Sequence, residues 1–144
     1  MTKLKLHLDV EKIELPWLVA KNELVFAIPF LDSEQSHYFQ NNVLNPHERA
    51  RFVSVFSEGA NHIQLTSVED CDYVLLPFKW RTTELNPIDG RPSAEPYIKL
   101  AKDHGKKLLV LFEDDYAGVL NLTPDEGIIL RTSFYRSTKK ENEF

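Results

Sequence analysis

Residues 4–10, "LKLHLDV", alternate apolar and polar positions. That period of two predicts a strand with one buried face. "ELVFAIPF" at 23–30 is a longer apolar run, stopped near Pro29. "NPHERARFVSVFSEG" at 45–59 predicts a helix with Asn45 as N-cap, Pro46 at its first position and Gly59 past its end. Phe52, Val53 and Phe56 would share its buried face. "HIQLTSVEDCDYVLLPF" at 62–78 predicts a short strand, a turn and a buried strand.

"RPSAEPYIKLAKDHG" at 91–105 gives the best helical pattern. Ala94, Tyr97, Ile98 and Ala101 follow i, i+3, i+4, i+7 spacing. Ser93 is the expected N-cap, with Pro96 in the first turn. Lys102 and His104 suit the negative end of the helix dipole, and Gly105 suits the position just past the helix. "KKLLVLF" at 106–112 and "GIIL" at 127–130 are further continuous apolar strands.

Continuous apolar strands are covered on both faces, which favours a parallel sheet between helices. Strand, helix and strand over 73–112 form a βαβ unit, whose crossover is expected to be right-handed. The expected fold is therefore a Rossmann-like three-layer α/β/α domain with a mainly parallel sheet, spanning residues 1–144 as one unit. "EDDYAGVLNLTPDE", between the last two strands, is expected to be a functional loop.

Bulk properties narrow the function. The chain has 144 residues, enough for one domain with a real core and no staples. Its net charge of −5 argues against general nucleic-acid binding, which needs a basic face. Cys71 is the only cysteine, so no internal disulfide forms and no thiolate-rich zinc site exists. It precedes a buried strand and is expected to be packed rather than reactive. The five histidines lack ligand spacing, so no metal is expected. No cofactor is expected either: G-x-G-x-x-G and Walker A patterns are absent, and G-x-S-x-G, the mark of a serine nucleophile, is absent too. The N-terminus lacks a signal-peptide core, and no apolar run is long enough to span a bilayer. A cytoplasmic location is the expectation.

In open parallel sheets, ligands bind beyond the C-terminal ends of the strands. Three loops sit there: "KWRTTE" after 73–78, "EDDYAG" after 107–112 and "RTSFYRS" after 127–130. They offer Lys79, Trp80, Arg81, Glu113, Asp114, Asp115, Tyr116, Arg131, Thr132, Ser133, Tyr135 and Arg136. Aromatics, carboxylates and arginines on one rim suit a polyhydroxylated or anionic ligand. Trp80 either stacks on a sugar or covers the sheet edge. Asp114 and Asp115 supply a general base or form a solvated acidic turn. Arg131 grips an oxyanion or forms an internal ion pair with one of those aspartates.

"DYVLLPFKW", "HGKKLLVLFEDD" and "GIILRTSFYRSTKKENEF" together resemble the N-terminal half of exostosin-like glycosyltransferases. Members of that family carry an "aDyflvP" strand, a "GKp…ff" strand with an acidic turn and an "iifRtSlyrS" segment. The resemblance covers roughly residues 70–144, with all three blocks in the same order. It implies one half of a GT-B architecture, in which the C-terminal half holds a nucleotide-sugar donor and the N-terminal half faces a glycan acceptor. Transfer would proceed by single displacement with inversion. Asp114 and Asp115 fall on the acidic turn as catalytic candidates. Lys79, Trp80, Arg131, Ser133 and Arg136 fall on the rim as substrate-binding candidates. The chain stops at "KKENEF", where relatives continue, so the donor would be held by a missing C-terminal half and the chain alone is expected to be inactive. The competing expectation is a non-catalytic flavodoxin-like or receiver-like interaction module.

Overall fold

The computed structural model describes residues 2–9, 12, 61–80, 90–112, 119–131 and 141–144. The apolar run at 23–30 and the helix expected at 45–59 lie outside the described residues. Among the described residues, five strands form one sheet: β1 (Leu4–His7), β2 (Ile63–Leu65), β3 (Tyr73–Leu75), β4 (Lys107–Phe112) and β5 (Gly127–Arg131). Their spatial order is β2-β1-β3-β4-β5, and every pairing is parallel. The three continuous apolar runs are thus adjacent parallel strands. The protein has a Rossmann-like α/β fold.

The registers explain why those runs are apolar throughout. Val74 pairs with Leu108, and Leu75 with Leu109. Alternate residues point to opposite faces of the sheet. Val74, Leu76, Leu108, Val110, Phe112 and Ile129 enter one core cluster with the helix residues Ala94, Ile98 and Ala101. Leu6, Leu75 and Leu109 lie on the other face and are buried as well. A strand covered on both sides has no position to spare for a polar side chain.

The helix α1 (Arg91–Asp103) starts earlier than its sequence suggests, with Gly90 rather than Ser93 as N-cap. The indole of Trp80 leaves no room for a side chain at this start. A methyl group on Gly90 would lie 2.5 Å from Cδ1, 2.7 Å from Cγ and 2.8 Å from Nε1 of that ring. Pro92 falls in the first turn, where no amide is needed. The earlier start moves Pro96 into the helix interior. At the other end, Gly105 has φ of 65°. Its amide donates to the Lys102 carbonyl at 3.0 Å, and the Lys106 amide to the Ala101 carbonyl at 2.8 Å. These two bonds are the Schellman closure that a left-handed glycine permits.

Residues 142–144 extend the sheet beyond β5. The Ile129 amide donates to the Asn142 carbonyl at 2.8 Å, and the Phe144 amide to the Ile129 carbonyl at 2.9 Å. Ile129 and Glu143 form a parallel bridge. The Asn142 side-chain amide donates to the Gly127 carbonyl at 2.8 Å and the Leu122 carbonyl at 3.3 Å. Among the described residues, no helix is long and apolar enough to cross a membrane.

Candidate functional site

The order of the described strands reverses between β1 and β3. From β1 the chain moves outward to β2, then returns past β1 to β3. Helices crossing on opposite faces part at such a reversal, opening a crevice above the strand C-termini where ligands of doubly wound folds bind.

Asp9 stands two residues beyond β1, half-buried. Its carbonyl accepts from the Lys12 amide at 3.1 Å, which turns the chain away from the strand. Phe78 and Lys79 follow β3, also half-buried. Tyr97 reaches the same place from α1. Its hydroxyl donates to Asp9 Oδ2 at 3.4 Å, and its ring meets Phe78 edge-on at 5.6 Å between centroids. Burial, reinforced by the Asp9 charge, pushes the Tyr97 phenol up to about 12. Tyr97 therefore keeps its proton at neutral pH and acts as a donor. The arrangement combines a carboxylate acceptor, a phenol donor and aromatic surface, a combination suited to hydroxyl-rich ligands.

The sequence-predicted residues fall into three groups. Lys79 is half-buried at this edge. Trp80 and Arg131 follow or end their strands on the same edge, but both side chains are turned inward. Trp80 is fully buried in the α1-side core with Phe112, Leu120 and Leu122. Arg131 Nη1 donates to Glu143 Oε1 at 3.0 Å, and its guanidinium lies over the Phe112 ring, 5.1 Å from the centroid. Asp114, Asp115, Ser133 and Arg136 lie outside the described residues, as do Arg81, Glu113, Tyr116, Thr132 and Tyr135.

Asp9 and Tyr97 were not legible as site residues. The alternating first strand does not single out its own C-terminal end, because continuous apolar runs are what mark a strand as central. Tyr97 matches the buried stripe of its helix, and its hydroxyl extends past that stripe to Asp9. The one signal available was Asp9 itself, an acidic residue just past the first strand.

The first turn of α1 is fastened from below. Arg91 donates to both carboxylate oxygens of Glu126 at 2.7 Å, to Glu95 at 2.9 Å and to the Asn121 carbonyl at 3.0 Å. The Arg91 hydrogen bonds hold the Glu126 carboxyl down at about 2 and raise the guanidinium in turn. At the opposite end of α1, a shallow groove is lined by Lys102, Gly105, Lys106, Lys107, Asp125 and Glu126. Cys71 is buried, its thiol donating to the Val68 carbonyl at 3.2 Å, and desolvation pushes its ionisation up. Among the described residues, no three His, Cys, Asp or Glu side chains gather as a metal site would require. No protein-family model, curated protein or solved structure matches this chain.

Proposed function

We propose that the chain is the acceptor-side half of an inverting exostosin-like glycosyltransferase, and that a glycan is held at the crevice between the C-terminal ends of β1 and β3. The observation that carries this reading is the adjacency of β3, β4 and β5. The three sequence blocks that resemble the family occupy those three strands and the loops beyond them, so their matching loops leave one sheet edge. Asp9, Lys79 and Tyr97 add hydrogen-bonding groups there, with Phe78 as apolar surface for a sugar ring. Asp114 and Asp115 remain the proposed source of the base that deprotonates the acceptor hydroxyl. The donor nucleotide sugar would be held by a second half, which also stabilises the departing diphosphate.

Ligand-observed NMR against a panel of neutral and uronate-containing oligosaccharides tests the reading. Saturation transfer to at least one oligosaccharide is expected, diminished by Asp9→Asn. Absence of transfer to every member at millimolar concentration would refute a glycan-facing role. The β2-β1-β3-β4-β5 order favours one other reading, since it is the strand order of flavodoxin-like folds. On that reading the same crevice serves a non-catalytic module.

A further inference from the structure

We propose that the flank of α1 is a docking groove for an acidic polypeptide segment that carries an aromatic side chain. The site is independent of the glycosyl-transfer reading, since Asp9, Phe78, Lys79 and Tyr97 of the crevice do not line it. Two adjoining concavities form the groove. One, of about 550 Å³, is lined by Pro92, Pro96, Ile98 and Lys99 of α1, with Glu126 in its opposite wall. The other, of about 310 Å³, lies past the end of α1 against Gly105, Lys106 and Lys107. Lys102 and Glu126 line both, so the two run into one another.

Pro96 marks this flank as more than a solvated helix surface. A proline inside a helix removes one backbone bond and costs stability. Pro96 is exposed, so burial in the core does not offset that cost. Exposed Pro92 stands one turn earlier on the same concavity. The two rings give this part of the groove apolar surface on which an aromatic side chain can pack, and aromatics are the commonest anchors of protein contacts. Local preferences that are broken without structural compensation are expected at functional sites.

Charge selects the rest of the partner. Lys102, Lys106 and Lys107 gather at the other part of the groove, against Asp125 and a Glu126 carboxylate that Arg91 already neutralises. Lys102 and Lys106 form no ion pair with a described residue. The Lys107 ammonium donates to the uncharged Pro124 carbonyl at 2.8 Å. In a chain of net charge −5 this is a local excess of positive charge, which draws an anionic partner here and not to the rest of the surface.

Shape favours an extended segment over a compact ligand. The lining runs from the first turn of the 13-residue helix to Gly105, about 20 Å at about 1.5 Å per residue. About six residues of extended chain cover that length. The wall opposite α1 is fixed in advance. Arg91 holds both Glu126 oxygens at 2.7 Å, and the Thr123 amide donates to the same carboxylate at 3.0 Å. A preformed groove loses little freedom on binding.

Fluorescence anisotropy on the full chain tests the proposal. The probes are dye-labelled hexapeptides of one tryptophan, one glycine and four glutamates, made in both directions. At least one is expected to saturate below about 1 mM, and about tenfold tighter than its counterpart with four lysines. Replacing the tryptophan of the probe by glycine should weaken binding by about tenfold. Lys102→Glu combined with Lys106→Glu, both at the surface, should do the same. Pro96→Ala should weaken binding by about threefold while the melting temperature rises, a divergence that a purely structural role does not produce. The proposal is overturned if neither glutamate peptide saturates, if the lysine peptides bind as well, or if the paired lysine variant binds unchanged. Tighter binding to phosphatidylglycerol vesicles, lost in that same variant, would also overturn it and assign the groove to an anionic membrane surface.

Discussion

Arg131 Nη1 and Glu143 Oε1 lie 3.0 Å apart, with the two side chains 1% and 0% exposed. The pair joins the end of β5 to the segment that lengthens the sheet beside it. An arginine at the C-terminal end of a parallel strand invites a ligand-binding interpretation. Here its Nη1 is held by a carboxylate within the domain. Arg131→Ala would take this charged partner from the buried Glu143 carboxylate, at a cost of about 3–5 kcal/mol. A large drop in melting temperature is the expected result. Arg131→Met combined with Glu143→Leu should recover much of that loss, because removing both charges removes the desolvation penalty.

A second prediction concerns acid. Arg91 holds the Glu126 carboxyl at about 2 in the folded chain, against 4.5 for a free glutamate side chain. A depressed folded value stabilises the protein above the unfolded value and loses that contribution as pH falls through the folded one. Denaturant melts should therefore show stability declining from about pH 4.5 toward pH 2. Glu126→Gln should flatten that part of the profile. An unchanged acid limb in the variant would show that Glu126 does not set it.

Gly90→Ala tests the packing at the start of α1. The added methyl would overlap the Trp80 ring, which is locked in the core. Overpacking of this kind costs about 1–3 kcal/mol. Chemical denaturation of the variant, with the tryptophan emission spectrum, should report both the loss and a displaced indole.

Pro96 offers the opposite sign. It is exposed within α1 and supplies no amide to the Pro92 carbonyl. Pro96→Ala restores that donor and should raise stability by about 1 kcal/mol, part of the helix-interior penalty of proline being offset by its stiffening of the unfolded chain. Lower stability in the variant would mean that the ring packs usefully where it stands.

The parallel sheet was legible because its central strands are apolar at every position, a pattern that only two-sided burial requires. Helix α1 was legible from its stripe, but its first residue was not. Gly90 is the cap and packs against Trp80, a residue ten positions earlier, whereas local capping preference favoured Ser93. The bridge that residues 142–144 make to β5 was illegible for a similar reason. "NEF" carries no strand pattern, and its burial depends on Arg131 meeting Glu143 across the sheet edge. The candidate crevice was legible as an edge, through Lys79 and the strand ends. Its pairing of Asp9 with Tyr97 spans 88 residues and needed the topology to become visible.

Ligand binding where β1 and β3 end is tested most directly by intermolecular NOE spectroscopy on the chain with the best-binding oligosaccharide from the panel. Contacts are expected from sugar ring protons to the aromatic protons of Phe78 and Tyr97. Contacts instead to Lys106 and Lys107, at the opposite end of the sheet, would contradict a site at this crevice.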